Sequence, residues 1–170
     1  MADAPDDDST PVGPALFAAL AADPLAAHLG IELEEVRPGY ARAVMTVGPQ
    51  LLNAVGTAHG GATMALLDVV HGAVANSHGT VAVAQDVHTE FLSAGRPGDR
   101  LVAEGVEVHR TSRTAVYRID ATTTDGRPVA TALARVFRLG TPWETARPEA
   151  AAPSEDAAAR ETAAPRETGA

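Results

Sequence analysis

The stretch from Ala62 to Ala75 most narrows the folds open to this chain of 170 residues. Only Thr63, Asp68, His71 and Gly72 interrupt its apolar run, so a helix here is greasy on every side and calls for enclosure by protein. Directly before it stands Asn53-Ala54-Val55-Gly56-Thr57-Ala58-His59-Gly60-Gly61. A glycine-rich turn feeding a helix start presents unpaired backbone N–H groups and the positive end of the helix dipole, which suits an anionic oxygen. Asp68 is the one carboxylate in the greasy stretch. Asp is rarely fully buried without a partner, so a buried Asp68 either does chemistry or is satisfied by Asn, Thr or backbone donors in an interface.

Around this helix the spacing predicts mostly strand. Pro14 to Leu29 has helical periodicity through Leu16, Phe17, Leu20 and Leu25, with Asp23-Pro24 as a break or restart. Ile31 to Val36 and Ala41 to Val47 read as two strands around Arg37-Pro38-Gly39. Val81 to Leu92, Leu101 to Arg110, Thr114 to Thr124 and Val129 to Leu139 are four further β-compatible runs. Asp125-Gly126 joins the last two, a dipeptide suited to a tight hairpin whose central residues need positive φ. One long helix among hairpin-rich strands fits an α+β layer in which an antiparallel sheet wraps the helix.

Composition removes several classes of function. The net charge of −9 argues against nonspecific nucleic-acid binding. With no cysteine, thiol catalysis, disulfide scaffolds and Cys-based zinc sites are excluded. No apolar run approaches the ~20 residues of a membrane span and no secretory leader pattern opens the sequence, so a cytoplasmic location is expected. Residues 1–12, with Asp3, Asp6, Asp7 and Asp8, and residues 141–170, rich in Ala, Pro, Glu and Thr, are expected to be disordered tails flanking one domain over 13–140.

Asn53-x-x-Gly56-x-x-His59-Gly60-Gly61, then Asp68, a strand ending Phe91-Leu92 and a Pro97-Gly98-Asp99 turn together resemble the hotdog-fold acyl-CoA thioesterases, in particular the phenylacetic-acid-degradation (PaaI-type) branch. The resemblance runs from about Leu29 to Gly140 and includes Arg110-Thr111-Ser112-Arg113. It implies a six-stranded antiparallel sheet curled around a central helix, assembly as homodimers and homotetramers, and hydrolysis of acyl-CoA without metal or prosthetic group, coenzyme A being part of the substrate. By the same analogy the Gly60 N–H is the oxyanion donor, His59 and Asn53 shape the thioester site, and Asp68 activates water or attacks directly. Gly61, Phe91, Leu92 and Gln85 are implied substrate contacts, and Arg96, Arg100, Arg110 and Arg113, Arg110 and Arg113 foremost, fit the CoA phosphates because guanidinium groups favour bidentate phosphate contacts.

Each residue also has a plainer reading. His59 can simply cap or pack the helix start, Asn53 is a common turn residue, the glycines permit a tight bend, Phe91 and Leu92 suit core packing, and the arginines suit a solvated surface. His71, three residues beyond Asp68, either bonds that carboxylate or packs in an interface. His78 and His88 invite a zinc site with Asp68 and His71, but a helical HExxH arrangement is missing, so no metal is expected. Some relatives carry Ser or Thr near the start of the strand after the helix, where Ala84 and Gln85 stand here; Gln85 or Asp86 then substitutes, or water is held differently.

Spacing adds a constraint of its own. Gly60 and Asp68 lie eight residues apart on one helix, about 12 Å, while both must come within about 3 Å of one thioester group. Each site therefore needs Gly60 of one chain and Asp68 of another. The rivals are a non-catalytic acyl-CoA-binding module of the same fold and a hotdog hydratase, whose Asp–His loop pattern the sequence lacks.

Overall fold

A computed structural model describes residues 10–146, so the expected tails over 1–9 and 147–170 lie outside the described residues. Two short helices, α1 (Pro14–Ala21) and α2 (Pro24–Leu29), precede strands β1 (Ile31–Arg37) and β2 (Tyr40–Thr46). The long helix α3 (Gly60–Asn76) follows, and then β3 (Thr80–Phe91), β4 (Arg100–Arg110), β5 (Thr114–Thr123), β6 (Pro128–Pro142) and the short α4 (Trp143–Ala146). The break at Asp23-Pro24 is a true restart. Asp23 accepts hydrogen bonds from the Leu25 N–H at 2.8 Å and the Ala26 N–H at 3.0 Å, Pro24 occupies the first turn, and Gly30 closes α2 at φ 68°.

All six strands form one antiparallel sheet in the order β1-β2-β4-β5-β6-β3. α3 lies across its concave face, and Leu66, Leu67, Val70 and Val74 are buried against Val36, Met45, Leu101, Tyr117 and Ile119. Each such side chain taken fully out of water contributes roughly 1.5–3 kcal/mol. At Gly105 a Cβ would stand 2.7 Å from Val70 Cγ1, so helix and sheet meet where β4 has no side chain. The antiparallel sheet wrapped on one long helix is the hotdog arrangement of an α+β fold.

Three expectations change. α3 is not enclosed all round: Gly61, Asp68 and Gly72 are exposed and Met64, Ala65 and Val69 half-buried, giving an open stripe along one side. The Asp125-Gly126 connection is wider than a two-residue turn. Only Gly126 has positive φ, at 86°, and the Thr123 N–H donates to the Arg127 carbonyl at 2.9 Å. The folded region also passes both expected tail boundaries: the Val12 N–H donates to the Val36 carbonyl at 3.0 Å, and β6 continues to Pro142, which pairs with Thr80 beyond an irregularity after Arg138.

β3 is an edge strand, paired only to β6, and carries a β-bulge at Gln85 between the pairs Ala84↔Val136 and Asp86↔Arg135. No helix among the described residues is long and apolar enough to cross a membrane.

Candidate active site

The turn entering α3 is organised by Asn53. Its Oδ1 accepts from the N–H groups of Val55 (3.0 Å) and Thr57 (3.1 Å), and its Nδ2 donates to Thr57 Oγ1 (2.9 Å) and the Ala58 carbonyl (3.4 Å). With donors and acceptor all committed, Asn53 shapes the loop. Gly56 takes the left-handed conformation at φ 80° that the turn needs. His59 is the N-cap: its Nδ1 accepts from the Gly61 N–H at 2.9 Å. The plainer reading of His59 thus describes what it does in a single chain.

That cap leaves one donor open at the helix tip. The Gly60 N–H has no hydrogen-bond partner among the described residues, whereas the Ala62 and Thr63 N–H groups bond the His59 carbonyl. Gly60 lines a cavity of about 260 Å³ with Asn53, Thr57, Phe91, Leu92 and Gly95. Phe91 closes over it, its ring lying 3.4 Å from where a Gly60 Cβ would be. His59 and Gly61 line a different hollow, of about 240 Å³, with Leu29 and Leu52.

Asp68 opens into another cavity again, of about 470 Å³, between α1, α2, α3 and the start of β3. The burial expected of this carboxylate does not hold in one chain: its side chain is 67% exposed, because it sits on the open stripe of α3. One turn along, His71 is 2% exposed, with Nδ1 3.9 Å from Asp68 Oδ1. Its ring packs at a 57° tilt on Tyr117, 5.8 Å between centroids. Burial, then the nearby Glu107 carboxylate, pushes the Tyr117 phenol well above its usual range, so a neutral hydroxyl faces this part of the core. Asp23 and Asn76 also line the cavity, and Leu20, Leu25, Val69, Ala84 and Trp143 supply apolar wall.

Other expected site residues stand apart. Gln85 is the extra residue of the bulge and is exposed, and it is Ala84 that faces the Asp68 cavity. Asp86 is engaged on the outer face, accepting from Arg135 Nε at 2.8 Å. Arg110 pairs with Glu107 at 3.1 Å, and neither it nor Arg113 lines the Gly60 or Asp68 cavities, because their hairpin lies beyond the opposite end of α3 from Gly60. His78 pairs with Glu107 at 2.9 Å and His88 with Glu90 at 2.9 Å, and no three His, Asp or Glu side chains converge as metal ligands among the described residues. Sequence reasoning missed Trp143 and α1–α2 as cavity walls. The signal was the solitary aromatic just past β6, whose backbone N–H donates to the Gly79 carbonyl at 2.9 Å and pins α4 beside the end of α3.

Residues 55–130 match the family model described as the thioesterase superfamily. The chain is similar to the acyl-coenzyme A thioesterase PaaI of Escherichia coli, 34% identical over 118 residues that span 69% of this chain and 84% of that protein. The solved structure of the E. coli PaaI protein from the phenylacetic acid degradation operon superposes with a TM-score of 0.72 at 32% identity, covering 74% of this chain and 91% of that one. A hypothetical thioesterase from Streptococcus pneumoniae, solved with coenzyme A, superposes at a TM-score of 0.63 and 33% identity over 66% of this chain and 90% of that one. The open helix tip, the carboxylate one helix face away and these likenesses converge: the chain belongs to the hotdog-fold thioesterase superfamily and is an enzyme of the thioester hydrolase class.

Proposed function

We propose that the protein hydrolyses aryl-acyl-CoA thioesters of the phenylacetyl-CoA or hydroxyphenylacetyl-CoA kind, releasing the free acid and CoA, with each active site shared by two copies of the chain. The observation that carries this is the division of labour along α3, where the unpaired Gly60 N–H and the open Asp68 carboxylate line separate cavities. At about 1.5 Å per residue the two are some 12 Å apart, too far to touch one thioester from one chain. Two features favour a two-fold partner: β3 is an edge strand paired on one side only, and the open stripe of α3 includes the small residues Gly61, Ala65 and Gly72, which admit a second helix. A second pairing over the exposed Val83, Leu133 and Phe137 on the outer sheet face then gives the homotetramer.

In the shared site the Gly60 N–H receives the carbonyl oxygen as it becomes an oxyanion. Asp68 of the partner copy either takes a proton from water, whose oxygen bonds the carbonyl carbon, or bonds that carbon itself. On the first route the C–S bond then breaks and the thiolate takes the proton that Asp68 accepted; on the second, thiolate departure leaves an acyl–Asp68 anhydride that water cleaves, one of its hydrogens going to the acid and the other to the thiolate. Neither route draws on a metal or a cofactor, coenzyme A entering as part of the substrate. Phe91 and Leu92, half-exposed beside Gly60, contribute apolar walls. The exposed Arg113 is a guanidinium available for CoA phosphates, with Arg110 nearby held on Glu107. The aryl preference draws on the E. coli relative, whose operon is one of phenylacetic acid degradation.

The test is CoA thiol release from aryl-, short- and long-chain acyl-CoA, compared as kcat/KM. Asp68→Asn is expected to lower kcat by about 10²–10⁴-fold on the preferred substrate. Tight acyl-CoA binding with no turnover by the wild type would leave a binding module instead, and a preference for long plain chains would remove the aryl assignment.

A further inference from the structure

The Asp68 cavity raises a question that its wall residues answer. A carboxylate that activates water needs a second polar group to fix the water's position, and strand β3 offers only the methyl groups of Ala82 and Ala84. Of the polar side chains around the cavity, Asp23 is held at the start of α2 as its N-cap, its Oδ1 accepting from the Leu25 and Ala26 N–H groups. Asn76 is spent: its Nδ2 donates to the Gly72 carbonyl at 2.8 Å and the Ala82 carbonyl at 3.4 Å, and its Oδ1 accepts from the Ala82 N–H at 2.8 Å. The Trp143 indole is a donor only. His71 remains, a fully buried imidazole on the same helix as Asp68 and one turn further on.

We propose that His71 is the water-holding partner of Asp68, the two side chains gripping the nucleophilic water between Nδ1 and Oδ1, so that Asp68 works as a general base. Their 3.9 Å separation is too long for a direct hydrogen bond and suits a shared water. Two acceptors each about 2.8 Å from one oxygen and that far apart subtend roughly 90°, near the angle between a water's O–H bonds. The water gives one hydrogen to each acceptor and keeps its lone pairs for the carbonyl carbon. As the C–O bond forms, the proton on the Asp68 side passes to the carboxylate. When the C–S bond breaks, that proton leaves with the thiolate, and acid and CoA thiol are the products. With Nδ1 accepting, the ring proton sits on Nε2, which is buried without a hydrogen-bond partner among the described residues, on a ring held by Tyr117. Packing alone fixes the imidazole, which leaves Nδ1 free for water.

This inference rests on the thioesterase reading and is tested separately from it. His71→Phe keeps the ring volume and removes both nitrogens. Its kcat is expected to fall about 10–100-fold with KM within about twofold of wild type. His71→Asn, which returns a polar atom near the Nδ1 position, should recover most of the loss, and so should Ala84→Ser added to His71→Phe, since a hydroxyl then enters the same cavity from β3. A single turnover of wild-type enzyme in H₂¹⁸O should place the label in the product acid. Unlabelled acid in that turnover means Asp68 attacked the carbonyl itself and overturns the proposal even if every His71 variant fails to fold. A folded His71→Phe with wild-type kcat, or His71→Asn no better than His71→Phe, also overturns it while leaving the thioesterase reading in place. Wild-type protein that releases no CoA from any acyl-CoA overturns the thioesterase reading itself.

Discussion

A single methyl group added at position 105 would test how tightly α3 sits on the sheet. An alanine Cβ there meets Val70 Cγ1 at 2.7 Å and Val74 Cγ1 at 3.3 Å, both on a rigid helix rather than on a flexible side-chain end. Gly105→Ala is expected to cost about 1–3 kcal/mol, read as a lower urea midpoint, and an unchanged midpoint would mean the helix slides freely over β4. Single residues were unequally legible in the sequence. Asp68 stood out by being the one acid in an apolar run, but its exposure depends on what covers the open stripe, and a single chain leaves it bare. His59 had two readings in sequence because a cap and a site residue want the same position, and the bond to the Gly61 N–H settles the local one. Gln85 was misplaced because a β-bulge shifts the inward face by one residue, and the run Thr80–Phe91 carries no glycine or proline to announce it.

At the level of elements, the residues after the end of α3 are tied to β4 through charge. Glu107 sits between His78 at 2.9 Å and Arg110 at 3.1 Å. Burial alone would raise its carboxyl, yet hydrogen bonding and attraction to these two partners outweigh it and hold Glu107 below its ordinary value of about 4.5. A lowered carboxylate stabilises the fold above its unfolded value, and that contribution fades as pH falls through the lowered value. Glu107→Gln should therefore melt a few degrees below wild type at pH 7, with the gap closing as pH drops below 4.5. A gap of constant size between pH 7 and pH 3 would deny the pairing any role. The elements themselves were readable because alternation and helical periodicity are strong here, and their ends were not. β6 outlasts its apolar run because, past an irregularity at Leu139, Gly140 and Thr141, Pro142 pairs again with Thr80, and these side chains say nothing about strand.

For the whole molecule the shared site makes a quantitative demand. Position 60 is the first residue of α3, where proline fits, and His59 before it already has the extended ψ of 134° that proline requires. Gly60→Pro thus removes the proposed oxyanion donor without disturbing the helix, and Asp68→Asn removes the acid. Each variant alone should be nearly inactive. Coexpressed in equal amounts with exchange verified by two tags, they should recover about a quarter of wild-type activity, since half the dimers are mixed and each has one complete site. No recovery would show that one chain houses both groups.

The strand order carries a last consequence, for the birth of the protein. β3 has only one neighbour in the sheet, and that neighbour is the last strand among the described residues. A chain emerging from the ribosome therefore displays residues 80–91 unpaired, next to a greasy helix, until some fifty further residues have been made. Nascent protein stalled before Pro128 is the form most in need of a chaperone, and premature stop mutations in that interval should yield aggregates rather than partly working enzyme.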